Sequence, residues 1–344
     1  MSKPILSICI PTYNRANWLR SSLWNWLSQV KQTNGLVELI VCDNASEDNT
    51  KQIIEEACEW GDFQYYCNSK NIGAIRNMYR LVHELAQGEF VWVVGDDDLP
   101  NVEALSRVLD IIQNNLNVNY IYANYSLWYP PKDKPSKILK SKDLDFFETS
   151  SLDLQTRFVN QISEIVTKDS GCCTAIYCSI MRKEDACSAY RLGVEGDMYS
   201  SVETTFPHVL YIAQNLLNRS CWYIGTPCML GSWNISWSDY WTITFVEYFP
   251  KLYKILEKNG GNKSDLKFHK QRVMSFLPRY VNELRSSSNS WKIKLHITLK
   301  YYKYYPLSWV VKNDIKYYLS VTGLNTEIIK KLIKEVKKWM ILNK

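Results

Sequence analysis

Trp92-Val93-Val94-Gly95-Asp96-Asp97-Asp98-Leu99-Pro100 is the stretch on which the reading of this chain turns. The apolar run ending at Val94 and closed by glycine reads as a buried strand reaching its carboxyl edge. Three adjacent carboxylates at that edge repel one another and lose solvation, so a cation is a physical reason to keep them together. Hard oxygen ligands at a strand end suit Mg²⁺ or Mn²⁺ holding a diphosphate. The competing reading is a solvated acidic turn ahead of the next helix.

Upstream of this stretch the chain alternates between strand and helix patterns. Leu6 to Ile10 is an apolar run stopped by Pro11-Thr12-Tyr13-Asn14, and Trp18, Leu19, Leu23, Trp26 and Leu27 then recur at helical spacing. Val37 to Cys42 predicts a second strand, and Ile53, Ile54 and Ala57 a helix behind Asp48 or Thr50 as cap. Phe63 to Cys67 predicts a third strand, and Asn71-Ile72-Gly73 turns into a helix bearing Ile75, Met78, Leu81, Val82 and Leu85. After the fourth strand (Phe90 to Val94) and the acids comes a helix with Leu105, Val108, Ile111 and Ile112, then a fifth strand from Tyr120. Alternation of this kind predicts an α/β fold, a mostly parallel sheet flanked by helices. Ligands of such sheets bind beyond the carboxyl ends of the strands, where all four polar clusters fall. No G-x-G-x-x-G follows the first strand and no G-x-x-x-x-G-K-[ST] occurs, which argues against dinucleotide oxidoreductases and P-loop NTPases.

The 344 residues, 46% hydrophobic with mean hydropathy −0.27, suit one large domain or a domain with an appendage. No apolar run approaches transmembrane length. Met1-Ser2-Lys3-Pro4 leads into a strand pattern with no secretory apolar region, so a cytoplasmic protein is expected. None of the ten cysteines has the spacing of a zinc knuckle or redox motif, and most read as small core residues. Cys172-Cys173 with Cys178 forms only a weak cluster.

Four segments, taken in order, carry a family resemblance. They are Ile10-Pro11-Thr12-Tyr13-Asn14-Arg15, Val41 through Thr50, Asn71-Ile72-Gly73 and Gly95-Asp96-Asp97-Asp98. Over about the first 130 residues the chain resembles the GT-A-fold, family 2 glycosyltransferases. Thr204 to Val209 further resembles a segment of the abequosyltransferase-type members that build bacterial O-antigen. The resemblance implies a GT-A domain over 1–215, with its nucleotide-binding half at 1–130, and an acceptor-side helical extension over 216–344. It also implies inverting transfer of a hexosyl or deoxyhexosyl group from a nucleotide-diphosphate sugar to a hydroxyl of a lipid-linked oligosaccharide. Pro11, Tyr13 and Arg15 would line the nucleotide pocket, Asp43 would bond the base, and Asn44 and Ser46 would shape its turn. Asn71, Gly73 and Arg76 would lie beside the donor. Asp96 and Asp97 would contact the donor, and Asp96 with Asp98 would be the metal pair for Mn²⁺ or Mg²⁺, with Asp97 in an alternative register.

A base must deprotonate the acceptor hydroxyl, and Glu203, His208 and Asp197 are the candidates. Each has a plainer reading: an exposed charge, a helix-start histidine bonded to backbone, and a turn residue. Aromatic residues crowd Cys221 to Tyr223 and Trp233 to Trp241 and suit sugar faces or a second small core, and Arg219, Ser236 and Asp239 could bond acceptor hydroxyls. Pro130 to Pro135 reads as an exposed loop. Two rivals remain: a sugar nucleotidyltransferase, whose usual glycine-rich N-terminal loop is missing, and a non-catalytic glycan or sugar-nucleotide module.

From Trp291 onward twelve lysines face three acids, a net +9, against +6 for the whole chain. Ile329, Leu332, Ile333, Val336 and Met340 share one helical face with lysines around it. This predicts a basic amphipathic helix lying on an anionic membrane, peripheral on the cytoplasmic face, or else a solvated helix docked on the body. No nucleic-acid-binding module accompanies the charge, so no nucleic-acid partner is expected.

Overall fold

The structure is a computed structural model that describes residues 3–115, 117–129, 135, 137–145, 148–149, 152–171, 173–197, 199–232, 240–287 and 291–322. The helix expected over 328–340, Cys172, Ser236, Asp239 and most of the 130–135 loop lie outside the described residues. The first elements are β1 (Leu6–Thr12), α1 (Ala16–Val30), β2 (Val37–Asp43), α2 (Thr50–Ala57), β3 (Gln64–Cys67), α3 (Ala74–Arg80) and β4 (Phe90–Val93). Next come β5 (Leu99–Pro100), α4 (Ala104–Asn114), β6 (Tyr120–Trp128), β7 (Glu148–Thr149), β8 (Arg157–Val159), α5 (Ser163–Val166), β9 (Ser179–Arg182) and α6 (Lys183–Arg191). The remainder are α7 (Val202–Thr205), α8 (Pro207–Tyr211), β10 (Cys221–Ser232), α9 (Trp241–Ile243), α10 (Phe249–Lys258), α11 (Lys263–Ser286), α12 (Trp291–Tyr304) and α13 (Leu307–Thr322).

The strands form one mixed sheet in the order β3-β2-β1-β4-β9-β6-β10-β5, with β7 on β6 and β8 on β10. β1 is parallel to both β2 and β4, and β2 is parallel to β3. Leu6, Ile8, Cys9 and Ile10 are fully buried, as a central strand covered on both faces requires. The register sets Thr12 beside Asp43 and Asp43 beside Cys67. The carboxyl ends of β1, β2 and β3 therefore share one edge. β4 runs alongside them, with Val93 beside Cys9, and delivers the acids to that edge.

The parallel α/β half agrees with expectation. The antiparallel additions were not foreseen: β9 pairs with β4 and β6. The sheet also continues past residue 215, where a helical extension was expected, because β10 pairs in parallel with β6. Its register shifts between Ile224 and Met229, across Gly225-Thr226-Pro227. An irregularity holding Gly and Pro hides the period of a strand.

The chain divides into two compact units, residues 1–236 with 254–266, and residues 237–253 with 267–344. The second unit has its own aromatic cluster, in which Phe245 packs on Phe249, Phe276 and Tyr280. Its buried Glu247 is met by Lys251 and Lys300, each at 2.7 Å, and by His296 at 3.2 Å. Among the described residues no helix is long and apolar enough to cross a membrane.

Candidate active site

The loop after β1 is stitched to the loop after β2. Asn14 N donates to Ser46 Oγ at 2.8 Å, Glu47 N donates to Asn14 Oδ1 at 2.8 Å, and Ala16 N donates to Asp48 Oδ2 at 3.0 Å. Asn14 and Ala45 adopt left-handed backbone, with φ of 53° and 64°. Asparagine tolerates that region through its short polar side chain, whereas alanine there is strained. Ser46 N donates to Asp43 Oδ1 at 2.9 Å and Tyr65 OH to Asp43 Oδ2 at 2.9 Å, so both oxygens of Asp43 already have a protein partner. Each carboxylate oxygen keeps a second lone pair, which leaves capacity for a ligand.

Asparagines hold the next turn. Asn44 Oδ1 accepts from Asn68 Nδ2 and from Ile72 N, both at 2.9 Å, and Asn44 Nδ2 donates to Asn71 Oδ1 at 2.8 Å. Asn77 ties this cluster to β2 by donating to the Cys42 carbonyl at 2.8 Å. Gly73, at φ 88°, then turns the chain into α3, a conformation that favours glycine. One turn into α3, Arg76 is exposed.

The acids occupy the gap between the first loop and β10. Asp96 is buried, with Thr12 Oγ1 donating to Oδ2 at 2.7 Å and Arg15 Nη1 to Oδ1 at 2.8 Å. Arg15 Nη2 reaches Asp97 Oδ2 at 2.8 Å, so one guanidinium spans two carboxylates. Asp98 Oδ1 accepts from Ser232 N at 3.2 Å, and Ser232 Oγ donates to the Asp97 carbonyl at 2.6 Å. A Cβ on Gly95 would lie 2.5 Å from Asp98 Oδ2 and 2.8 Å from Asp97 Oδ1. A side chain at this position would require both carboxylates to move from the places they hold here.

Burial pushes the Asp96 carboxyl up to about 6, with Arg15 opposing and Asp97 adding to the rise. Burial and then the neighbouring Asp97 push Asp98 well above the usual carboxylate range. Three carboxylates against one guanidinium leave negative charge uncompensated, and this donor set fits a divalent cation. Among the described residues no group of three His, Cys, Asp or Glu side chains is arranged to hold a metal alone. A cation here would thus be shared between protein and ligand oxygens, the usual arrangement for Mg²⁺ with phosphates. Both oxygens of Asp96 accept a protein hydrogen bond, from Thr12 and Arg15, whereas Asp97 Oδ2 accepts from Arg15 and Asp98 Oδ1 from Ser232 N. Each of these oxygens keeps a second lone pair.

The three base candidates separate clearly. His208 is fully buried, its Nε2 lies 3.0 Å from the Cys173 carbonyl oxygen, and burial holds its pKa down at about 4. A buried ring bonded to backbone has no route to an acceptor, so the catalytic reading of His208 is corrected to a structural one. Asp197 is exposed in a turn, where its carbonyl accepts from Ser200 Oγ at 2.6 Å. Glu203 is exposed in the first turn of α7, behind a Ser201–Thr204 capping box. A Cβ on Gly193 would lie 2.6 Å from the Glu203 carbonyl oxygen and 3.0 Å from Ile75 Cγ2. This glycine brings the backbone of α7 close to the start of α3, beside Gly73 and Arg76.

Sequence reasoning missed Thr12, Ser232, Asn68, Asn77 and Tyr65. Thr12 lies inside the first motif, where residue type alone does not show which acid its hydroxyl bonds. Ser232 lies 134 residues beyond Asp98, and a backbone N–H leaves no mark in sequence.

If Asp43 bonds the nucleotide base, Asp43→Ala should weaken nucleoside diphosphate binding by about 1–3 kcal/mol in calorimetry. Tyr65→Phe, which removes only the internal partner, should change it far less. Equal affinities in all three proteins would place the base elsewhere.

Residues 7–183 match the family model described as Glycosyl transferase family 2. The chain is 38% identical over 116 residues to the abequosyltransferase RfbV of Salmonella typhimurium, covering 33% of this chain and 34% of that protein. It is 28% identical over 129 residues to the UDP-Glc:alpha-D-GlcNAc-diphosphoundecaprenol beta-1,3-glucosyltransferase WfgD of Escherichia coli, covering 37% and 48%. An uncharacterized glycosyltransferase of Haemophilus influenzae is 25% identical over 228 residues, covering 60% and 88%. The chain thus spans about a third to a half of the length of the first two of these relatives. Among solved structures, TarS 1–349 of S. aureus is similar with a TM-score of 0.49 and 16% identity, over 90% of this chain and 80% of that one.

Proposed function

The chain belongs to glycosyltransferase family 2, and on that premise we propose that it moves a sugar from a nucleotide-diphosphate donor to a hydroxyl of a lipid-linked glycan, with inversion. The observation that supports this best is the buried acid cluster at the sheet edge, whose single guanidinium leaves charge for a divalent cation. The names of RfbV and WfgD support an O-antigen or related surface polysaccharide as the destination. A lipid-linked acceptor would set the enzyme to work at the cytoplasmic face of the membrane, with the basic segment 328–340 as an anchor.

In this reading Tyr13, Pro11 and the Asp43–Ser46 turn receive the nucleoside, and Gly73 and Arg76 approach the donor from the start of α3. Arg15 fixes Asp96 and Asp97. Asp98, with Asp96 or Asp97, would hold Mn²⁺ or Mg²⁺, which when bound supplies positive charge to the leaving diphosphate. Glu203 accepts the proton of the attacking hydroxyl: it is exposed in the first turn of α7, and Gly193 packs against both its carbonyl and Ile75 of α3. Attack from the face opposite the diphosphate inverts the anomeric carbon.

The experiment follows release of nucleoside diphosphate from a panel of donors, with and without a membrane lipid extract as acceptor. Release that rises with extract is expected. Glu203→Gln should lower kcat by roughly 10²–10⁴-fold while donor binding survives. A Glu203→Gln protein with normal kcat would move the base role to another residue.

A further inference from the structure

Among the described residues, helix α12 carries a face left exposed. Ile297 and Tyr301 are buried and anchor the helix from one side. Trp291, Leu295, Leu299 and Tyr302, at successive steps of four, four and three residues, are 69%, 49%, 61% and 37% exposed. That spacing puts the four on one stripe of a helix turning 3.6 residues per turn. The 14 residues of α12 include Lys292, Lys294, Lys300 and Lys303 and no acid. Lys292 and Lys303 are exposed at the two ends of the stripe. Beside the stripe opens a cavity of about 490 Å³ lined by Leu295 and Tyr302 together with Arg285, Lys294 and Asp314. Asp314 is neutralised by Arg285 at 2.7 Å and accepts from Tyr302 OH at 2.7 Å, and Lys294, whose Nζ donates to the carbonyls of Arg285 at 2.9 Å and Ser287 at 2.5 Å, leaves the lining one positive charge in surplus.

We propose that this face of α12 docks on an anionic lipid bilayer. Indole and phenol rings at the ends of an apolar stripe, with lysines alongside, match the headgroup boundary, where apolar groups sink and cations meet lipid phosphates. The charge decides among occupants. A second copy of this chain would set like charges against each other, whereas an anionic bilayer complements the exposed Lys292 and Lys303, Lys300 being paired with Glu247. The Lys294–Arg285 cavity then takes a headgroup phosphate. This face is distinct from the segment 328–340 and adds a second contact to the peripheral reading above, on residues of its own.

The test is sedimentation of the full chain with vesicles of phosphatidylglycerol and phosphatidylcholine, and with vesicles of phosphatidylcholine alone. Wild type should bind the first and not the second. Leu295→Glu/Leu299→Glu should weaken binding by at least about tenfold with an unchanged melting temperature. Lys292→Glu/Lys303→Glu should weaken it less and remove part of its salt dependence. Lys330→Glu/Lys331→Glu/Lys334→Glu reports on the other segment. Loss of binding only in that triple variant overturns the proposal while sparing the anchor at 328–340. Failure of wild type to bind overturns both, as does self-association abolished by Leu295→Glu/Leu299→Glu without any vesicle binding.

Discussion

Asp98→Asn is expected to make the protein more stable and nearly inactive. Asparagine keeps an oxygen for Ser232 N and removes a charge that burial and Asp97 both oppose. A carboxyl whose folded pKa is raised contributes stability that is complete below the unfolded value, near 4, and is lost as pH rises through the folded one. The gain from Asp98→Asn should therefore be small at pH 4 and largest at pH 8, a rise in melting temperature of roughly 2–4 °C in chelator. Turnover should fall at least about 10²-fold, because charge stabilisation of the leaving group is lost. A variant that melts below wild type at pH 8 would show that the acid cluster carries no excess charge.

Arg15→Ala should have the opposite effect. The guanidinium is mostly buried between Asp96 and Asp97, and its removal leaves their charges without a partner. Loss of one member of such a buried set costs about 3–5 kcal/mol, which urea melts at pH 8 will read. The cost should shrink towards pH 5, since the Asp96 carboxyl, already up at about 6, takes a proton there and no longer needs Arg15. Adding Asp96→Asn to Arg15→Ala should recover a large part of the loss at pH 8. Simple additivity of the two changes would show that the residues do not act as a pair.

These two substitutions lie in stretches that the sequence made readable, and the reason is physical. Parallel strands buried on both faces leave apolar runs, and their ends leave polar clusters, so β1, β2 and β4 and the four loops were visible from residue types alone. The edge-on chemistry of Asp96 was not. Which acid Arg15 and Thr12 engage depends on side chains about 80 residues apart meeting across the sheet. β10 was hidden because Gly225-Thr226-Pro227 interrupts its period, and with it the Ser232 contact to Asp98. His208 looked like a base because a helix-start histidine has the right chemistry. Its burial comes from packing against Tyr190 and Cys173, which no local pattern carries.

The most direct measurement of the central claim is calorimetry of UDP, GDP, CDP and dTDP binding, with Mn²⁺ and with chelator, to wild type and to Asp98→Asn. The account predicts that at least one nucleoside diphosphate binds wild type with Mn²⁺ and that chelator and Asp98→Asn each weaken that binding severalfold or more. Binding of none of the four, or binding that neither chelator nor Asp98→Asn alters, would contradict it.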